Sequence, residues 1–162
     1  MSKKGGARRL ARLKAFQTLY GLTFPTGHSL EGLEKLFAVS PAFVDPEQLP
    51  GEAEELAEKD RAFAWELVRG VYSSMADLDE AIGSFSQHWK ISRIARIELT
   101  ILRLALYEML HMPDIPLKVS INEAVELAKE FGDGNSPNFV NGILDAAARA
   151  VQQGQFGPVK AI

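Results

Sequence analysis

The sequence predicts an all-α protein of about six or seven helices. Three observations carry that expectation. Apolar residues recur at three- and four-residue steps through most of the chain, the period of a helix with one buried stripe. Helix start and stop signals (Asp60, Pro113, Pro116, Gly132, Ser136-Pro137 and Gly154) bracket those periodic stretches. No alternating β-rich run and no internal repeat occurs.

The first helix is expected from about Ala7 to Leu22, with Leu10, Leu13, Phe16 or Gln17, and Tyr20 on its buried stripe. Between Thr23 and Glu58 the signals are turn-like, apart from a short apolar piece, Leu30, Leu33, Leu36 and Phe37, that makes two or three helical turns. From Asp60 to Phe85, the apolar residues Phe63, Leu67, Val71, Met75, Leu78, Ile82 and Phe85 predict a single long helix capped by Asp60. Ile97 to Leu110 holds ten apolar residues of fourteen, distributed all round, and so reads as a buried central helix. Pro113 stops it, and Pro116 starts the next near its first position. That helix carries Leu117, Ile121, Val125 and Ala128 on one side and ends at Gly132, read as a left-handed cap. Ser136-Pro137 opens the last helix as cap and first residue. The helix buries Val140, Ile143, Leu144, Ala147 and Val151. The expected organisation is a disordered basic arm over residues 1–6, a helical domain over 7–153 and a loose tail over 154–162.

With 162 residues, 46% of them apolar and 24% charged, the chain fits one globular domain. A chain of this length buries about 70% of its unfolded surface, enough to fold without disulfide or metal. The absence of Cys excludes a disulfide scaffold and thiolate metal sites. The longest apolar run is four residues, as in Leu104 to Tyr107, and the charged N-terminus has no apolar stretch behind it. A soluble, cytoplasmic protein is expected, with no membrane association.

The net charge of −3 conceals a polarity. Residues 1–30 contain Lys3, Lys4, Arg8, Arg9, Arg12 and Lys14 and no acid, whereas Asp45 to Asp60 contains seven acids and one base. Cations near a helix N-terminus oppose the macrodipole, each at a cost of about 0.3–1 kcal/mol when exposed. Such an arm fits a polyanion ligand, and it also fits a solvated terminus.

No catalytic constellation is visible. His28, His88 and His111 are isolated, and neither paired-His metal spacing nor a nucleophile or phosphate-loop motif occurs. Neither an enzyme nor a cofactor is expected. What remains is chemistry suited to single-stranded RNA: cations for phosphates and aromatic rings for splayed bases. Arg8, Arg9, Arg12 and Lys14 supply the first, and Tyr20 and Phe139 the second, although both aromatics also fit core packing. The last helix's start, Asn135 to Asn138, reads either as an anion site through its N–H groups or as a capping loop.

Four segments carry a family resemblance: Ala7-Arg8-Arg9-Leu10-Ala11-Arg12 with Gln17-Thr18-Leu19-Tyr20, Ile101 to Glu108, Lys118 to Lys129, and Phe139 to Asp145. In order and spacing the chain resembles the NusB transcription antitermination factors over Ala7 to Tyr20 and about Asp60 to Val151. The resemblance implies two small helical bundles forming one compact domain, no catalysis, and binding of boxA RNA in nascent ribosomal transcripts together with the ribosomal protein NusE. Other Nus factors and RNA polymerase complete the implied assembly. It places Arg8, Arg9 and Arg12 on the RNA, with Tyr20 nearby, adds Lys118, Asn135 and Phe139 to that surface, and offers Glu98 as a NusE contact. Two alternatives are a helical protein–protein adaptor with a solvated basic arm, and the detached N-terminal domain of a ribosomal RNA methyltransferase. Monomer and homodimer both stay open, as does the role of the acidic excursion 23–58.

Overall fold

The computed structural model describes residues 3–22, 29–39, 56–86, 90–157 and 160. Among them are seven α-helices: α1 Lys3–Gly21, α2 Leu30–Val39, α3 Glu58–Ser73, α4 Met75–Phe85, α5 Arg96–His111, α6 Leu117–Phe131 and α7 Ser136–Gln152. A 3-10 turn, Ile91–Arg93, precedes α5, and no strand occurs among the described residues. The all-α expectation holds. Most of the acidic excursion, together with His28 and His88, lies outside the described residues. The chain divides into two compact units, Met1–Tyr72 and Ser73–Ile162.

In the first unit, α1 begins at Lys3, so residues 3–6, expected in the arm, belong to the helix. No proline or side-chain cap stops the helix there, and extending a nucleated helix adds a backbone bond for each residue ordered. Its middle is buried all round, from Ala11 to Phe16, rather than along one stripe. The short side chains of Ala11 and Ala15, both fully buried, permit that close approach. α2 packs on α1, where the bare Gly21 leaves room for Leu36. The Phe37 ring tilts against Trp65 of α3 at 5.3 Å between centroids.

The stretch expected as one helix from Asp60 to Phe85 is two, broken at Ser74 (φ −110°, ψ 12°). Serine has a low helix propensity, and two in succession make Ser73-Ser74 a weak point in the stretch. The apolar period survives because α4 restarts at once, the Leu78 N–H donating to the Ser74 carbonyl at 2.9 Å. Asp60 is not the cap. It sits in the first turn of α3, 4% exposed, with its own N–H donating to the Ala57 carbonyl at 2.9 Å. An acid there complements the macrodipole as a cap would.

In the second unit, α5 packs on α4, α6 and α7. Arg103 forks onto Asp79 of α4, Nε to Oδ1 at 2.7 Å and Nη2 to Oδ2 at 2.8 Å, the strong bidentate form of an ion pair. Glu108 is 2% exposed and accepts from the Ser120 hydroxyl of α6 at 3.4 Å. After α7, Gly154 and Gly157 adopt positive φ (80° and 109°), a conformation glycine takes without a steric penalty. Among the described residues of the tail expected to be loose, the Phe156 ring lies 6.0 Å from that of Phe85 between centroids, and Lys160 is anchored. Lys160 Nζ donates to the carbonyls of Glu108 at 3.1 Å and Met112 at 2.8 Å, satisfying the C-terminal end of α5.

Burial pushes the Lys160 ammonium below its ordinary 10.5, against the opposing pull of Glu108 and Asp114. The unfolded chain therefore holds more protons in the window just below 10.5, and stability rises with pH there. Thermal unfolding from neutral pH towards pH 10.5 should show the natural protein gaining on a Lys160→Met variant. A constant difference between the two would count against this burial.

Candidate nucleic-acid interface

The basic residues of α1 do not behave as one surface. Arg8 and Arg9 are exposed, and the Arg8 guanidinium lies 4.0 Å from the centroid of the Phe63 ring of α3. That cation–π contact orients the guanidinium while leaving its outer N–H groups available. Arg12, one turn on, is only 5% exposed and reaches the same ring at 5.4 Å. Lys14 is 7% exposed, with Nζ 4.6 Å from the Phe37 centroid. Burial lowers its pKa below 10.5, and the nearby positive charge of Arg61 lowers it further. Of the four cations offered for phosphate, two are exposed, whereas Arg12 and Lys14 turn inward with their guanidinium and ammonium groups over the ring faces of Phe63 and Phe37. Tyr20 is half-buried and stacks on Phe16 at 6.1 Å, with 17° between the planes.

In the second unit the start of α7 is a tightly bonded corner. Ser136 is the first helical residue and Pro137 the second, so Ser136 is not the cap. The carboxylate of Asp133 performs that task, its Oδ1 accepting from the N–H groups of Asn135 at 2.8 Å and Ser136 at 3.1 Å. These are two of the donors expected to bind an external anion, and an internal carboxylate already occupies them. The buried Ser136 hydroxyl donates to Glu98 Oε1 of α5 at 2.9 Å and accepts from the Asp133 N–H at 3.0 Å. Glu98, offered as a partner contact, therefore has one oxygen committed to holding α7 on α5.

Gly132 is extended (φ −90°, ψ −171°), not left-handed as expected. Glycine is needed because an added Cβ would collide with Cβ and Oγ of Ser136 and come within 2.8 Å of the Ala128 carbonyl. Asn135 is exposed and Phe139 half-buried, one turn apart on the same corner. Lys118 does not join them. It is exposed in the first turn of α6, and a rise of 1.5 Å per residue puts about 20 Å between it and the Gly132–Ser136 corner. The sequence offered no local signal for Phe63 under Arg8, for the Asp133 cap or for the Glu98–Ser136 bond, since each pairs separate elements or depends on the corner's geometry.

Residues 9–149 match the family model described as NusB family. A relative from Nitratidesulfovibrio vulgaris (strain DP4), named transcription antitermination protein NusB, is 50% identical over 98% of this chain and 99% of its own. One of the same name from Geobacter sulfurreducens is 46% identical over 88% and 94%. The solved structure of T. maritima NusB superposes with a TM-score of 0.72 at 34% identity, over 88% of this chain and 90% of that one. A chain from the crystal structure of the antitermination factors NusB and NusE in complex with double-stranded RNA shares the fold at a TM-score of 0.71 and 24% identity, over 89% of this chain and 97% of that one. With the family model matched across both units and half of all residues shared with a relative along nearly its whole length, the chain belongs to the NusB family.

Proposed function

We infer that this protein is a non-catalytic transcription antitermination factor that binds boxA-type single-stranded RNA of nascent ribosomal transcripts together with NusE. It works in the cytoplasm, in an assembly with other Nus factors and RNA polymerase. The observation that carries the function is the 50% identity, along nearly the full length, to a protein named for that role. Among the described residues, no helix is long and apolar enough to cross a membrane.

The exposed guanidiniums of Arg8 and Arg9 support phosphate contact at the start of α1, and the corner with Asn135 and Phe139 supports a second contact in the other unit. Arg12, Lys14 and Tyr20 support that surface from beneath, by holding α1 in place. Two phosphate contacts on a single strand give a salt slope of about −1.4, or about sevenfold weaker binding between 50 and 200 mM salt. That is a small electrostatic contribution on a chain of net charge −3, so the protein alone binds RNA weakly and NusE completes a composite site.

Titration of labelled boxA RNA against a scrambled control, with and without NusE, tests this. Tighter, boxA-selective binding with NusE present is the expected result. Equal affinity for both RNAs under both conditions would move the adaptor reading ahead.

A further inference from the structure

A groove of about 340 Å³ lies between α6 and α7, in the half of that helix pair that includes Lys118. Its floor is apolar, formed by Leu117, Ile121 and the short Ala148. At its rim stand two exposed cations, Lys118 and Arg149, neither of which forms an ion pair with a described residue. The carboxamides of Asn122 and Gln152 also face it. One carboxylate is present, Asp145, and it accepts from Asn141 Nδ2 at 3.2 Å.

We propose that this groove is a further RNA contact, taking one unstacked nucleotide of the single strand that flanks the recognised element. The proposal rests on the RNA-binding reading above. Its volume falls in the range of small-molecule sites, and its make-up is an apolar floor with a few converging polar groups. Lys118 and Arg149 meet the phosphates, the floor takes the face of the base, and the two carboxamides meet its edge, as carboxamides do with adenine. The two cations outnumber the one carboxylate, which favours an anionic partner, and the apolar floor flanked by carboxamides suits the face and edge of a base. The two cations each lie about 20 Å from the Asn135 corner, Lys118 along α6 and Arg149 along α7, a span of at most about six nucleotides at the stacked rise of 3.4 Å. RNA confined to the corner therefore does not reach Lys118 and Arg149, and a longer strand does.

The test uses the full chain with NusE and two labelled RNAs, a minimal boxA element and the same element extended by about six nucleotides on each side. Lys118→Ala with Arg149→Ala should weaken binding of the extended RNA about tenfold, lower its salt slope by about 1.4 and leave the minimal RNA unchanged. Asp145→Asn, which removes the opposing charge, should tighten the extended RNA about threefold, a gain that structural damage would not produce. Equal loss on both RNAs, or no loss on the extended one, would overturn the groove as an RNA site. Failure of the natural protein to bind either RNA with NusE would instead remove the function reading on which the groove depends.

Discussion

Replacing Gly132 by Ala should lower the unfolding free energy by about 3 kcal/mol and the melting temperature by about 9 °C. The backbone at Gly132 is extended and suits alanine, so the loss is one of space alone. The new methyl would meet the Cβ and Oγ of Ser136, atoms fixed by the first turn of α7, and it would press on the Ala128 carbonyl at 2.8 Å. Relief requires moving Ser136, whose hydroxyl holds Glu98 at 2.9 Å and the Asp133 N–H at 3.0 Å. Overpacking costs about 1–3 kcal/mol, and a half-buried carboxylate losing a donor adds about 1–3 kcal/mol. Gly134→Ala is the control. Its added Cβ would have nothing within 4 Å, and a change within about 0.5 kcal/mol is expected. Denaturant unfolding of both variants measures the contrast, and equal stability would refute the close approach at Gly132.

Arg8→Ala combined with Arg9→Ala should weaken boxA binding with NusE about thirtyfold, two solvent-exposed ionic contacts at about 1 kcal/mol each. NusE binding should be unchanged. Loss of the Arg8–Phe63 cation–π contact costs about 0.5–1 kcal/mol of stability, too little to unfold the chain. Arg12→Ala should behave differently, because a guanidinium only 5% exposed over the same ring is part of the packing. Its main effect should be on unfolding, by about 2 kcal/mol. RNA titration beside thermal unfolding separates the two roles. A double variant that still binds RNA with full affinity would show that the exposed arginines are not the phosphate contacts.

The periodic apolar residues were sufficient to place α2 and α5–α7, because each helix buries a stripe whose spacing is a property of the helix alone. They could not reveal the break at Ser74, since α4 resumes nearly the same period after it. Gly132 was legible as a helix end, but for the wrong reason: the requirement comes from Ser136 across a tight turn, not from a positive φ.

The sequence by itself determined the helical class, the basic first helix and the family, all of which depend on residue types at fixed spacing along one chain. Only the tertiary structure decided which cations face solvent. Arg12 and Lys14 turn inward because Phe63 and Phe37, on other helices, offer ring faces that attract their cationic groups. Likewise, Glu98 meets Ser136 across 38 residues, and Lys118 is separated from Asn135 by the length of α6. Contacts of that kind depend on how helices pack against one another, which no local spacing encodes.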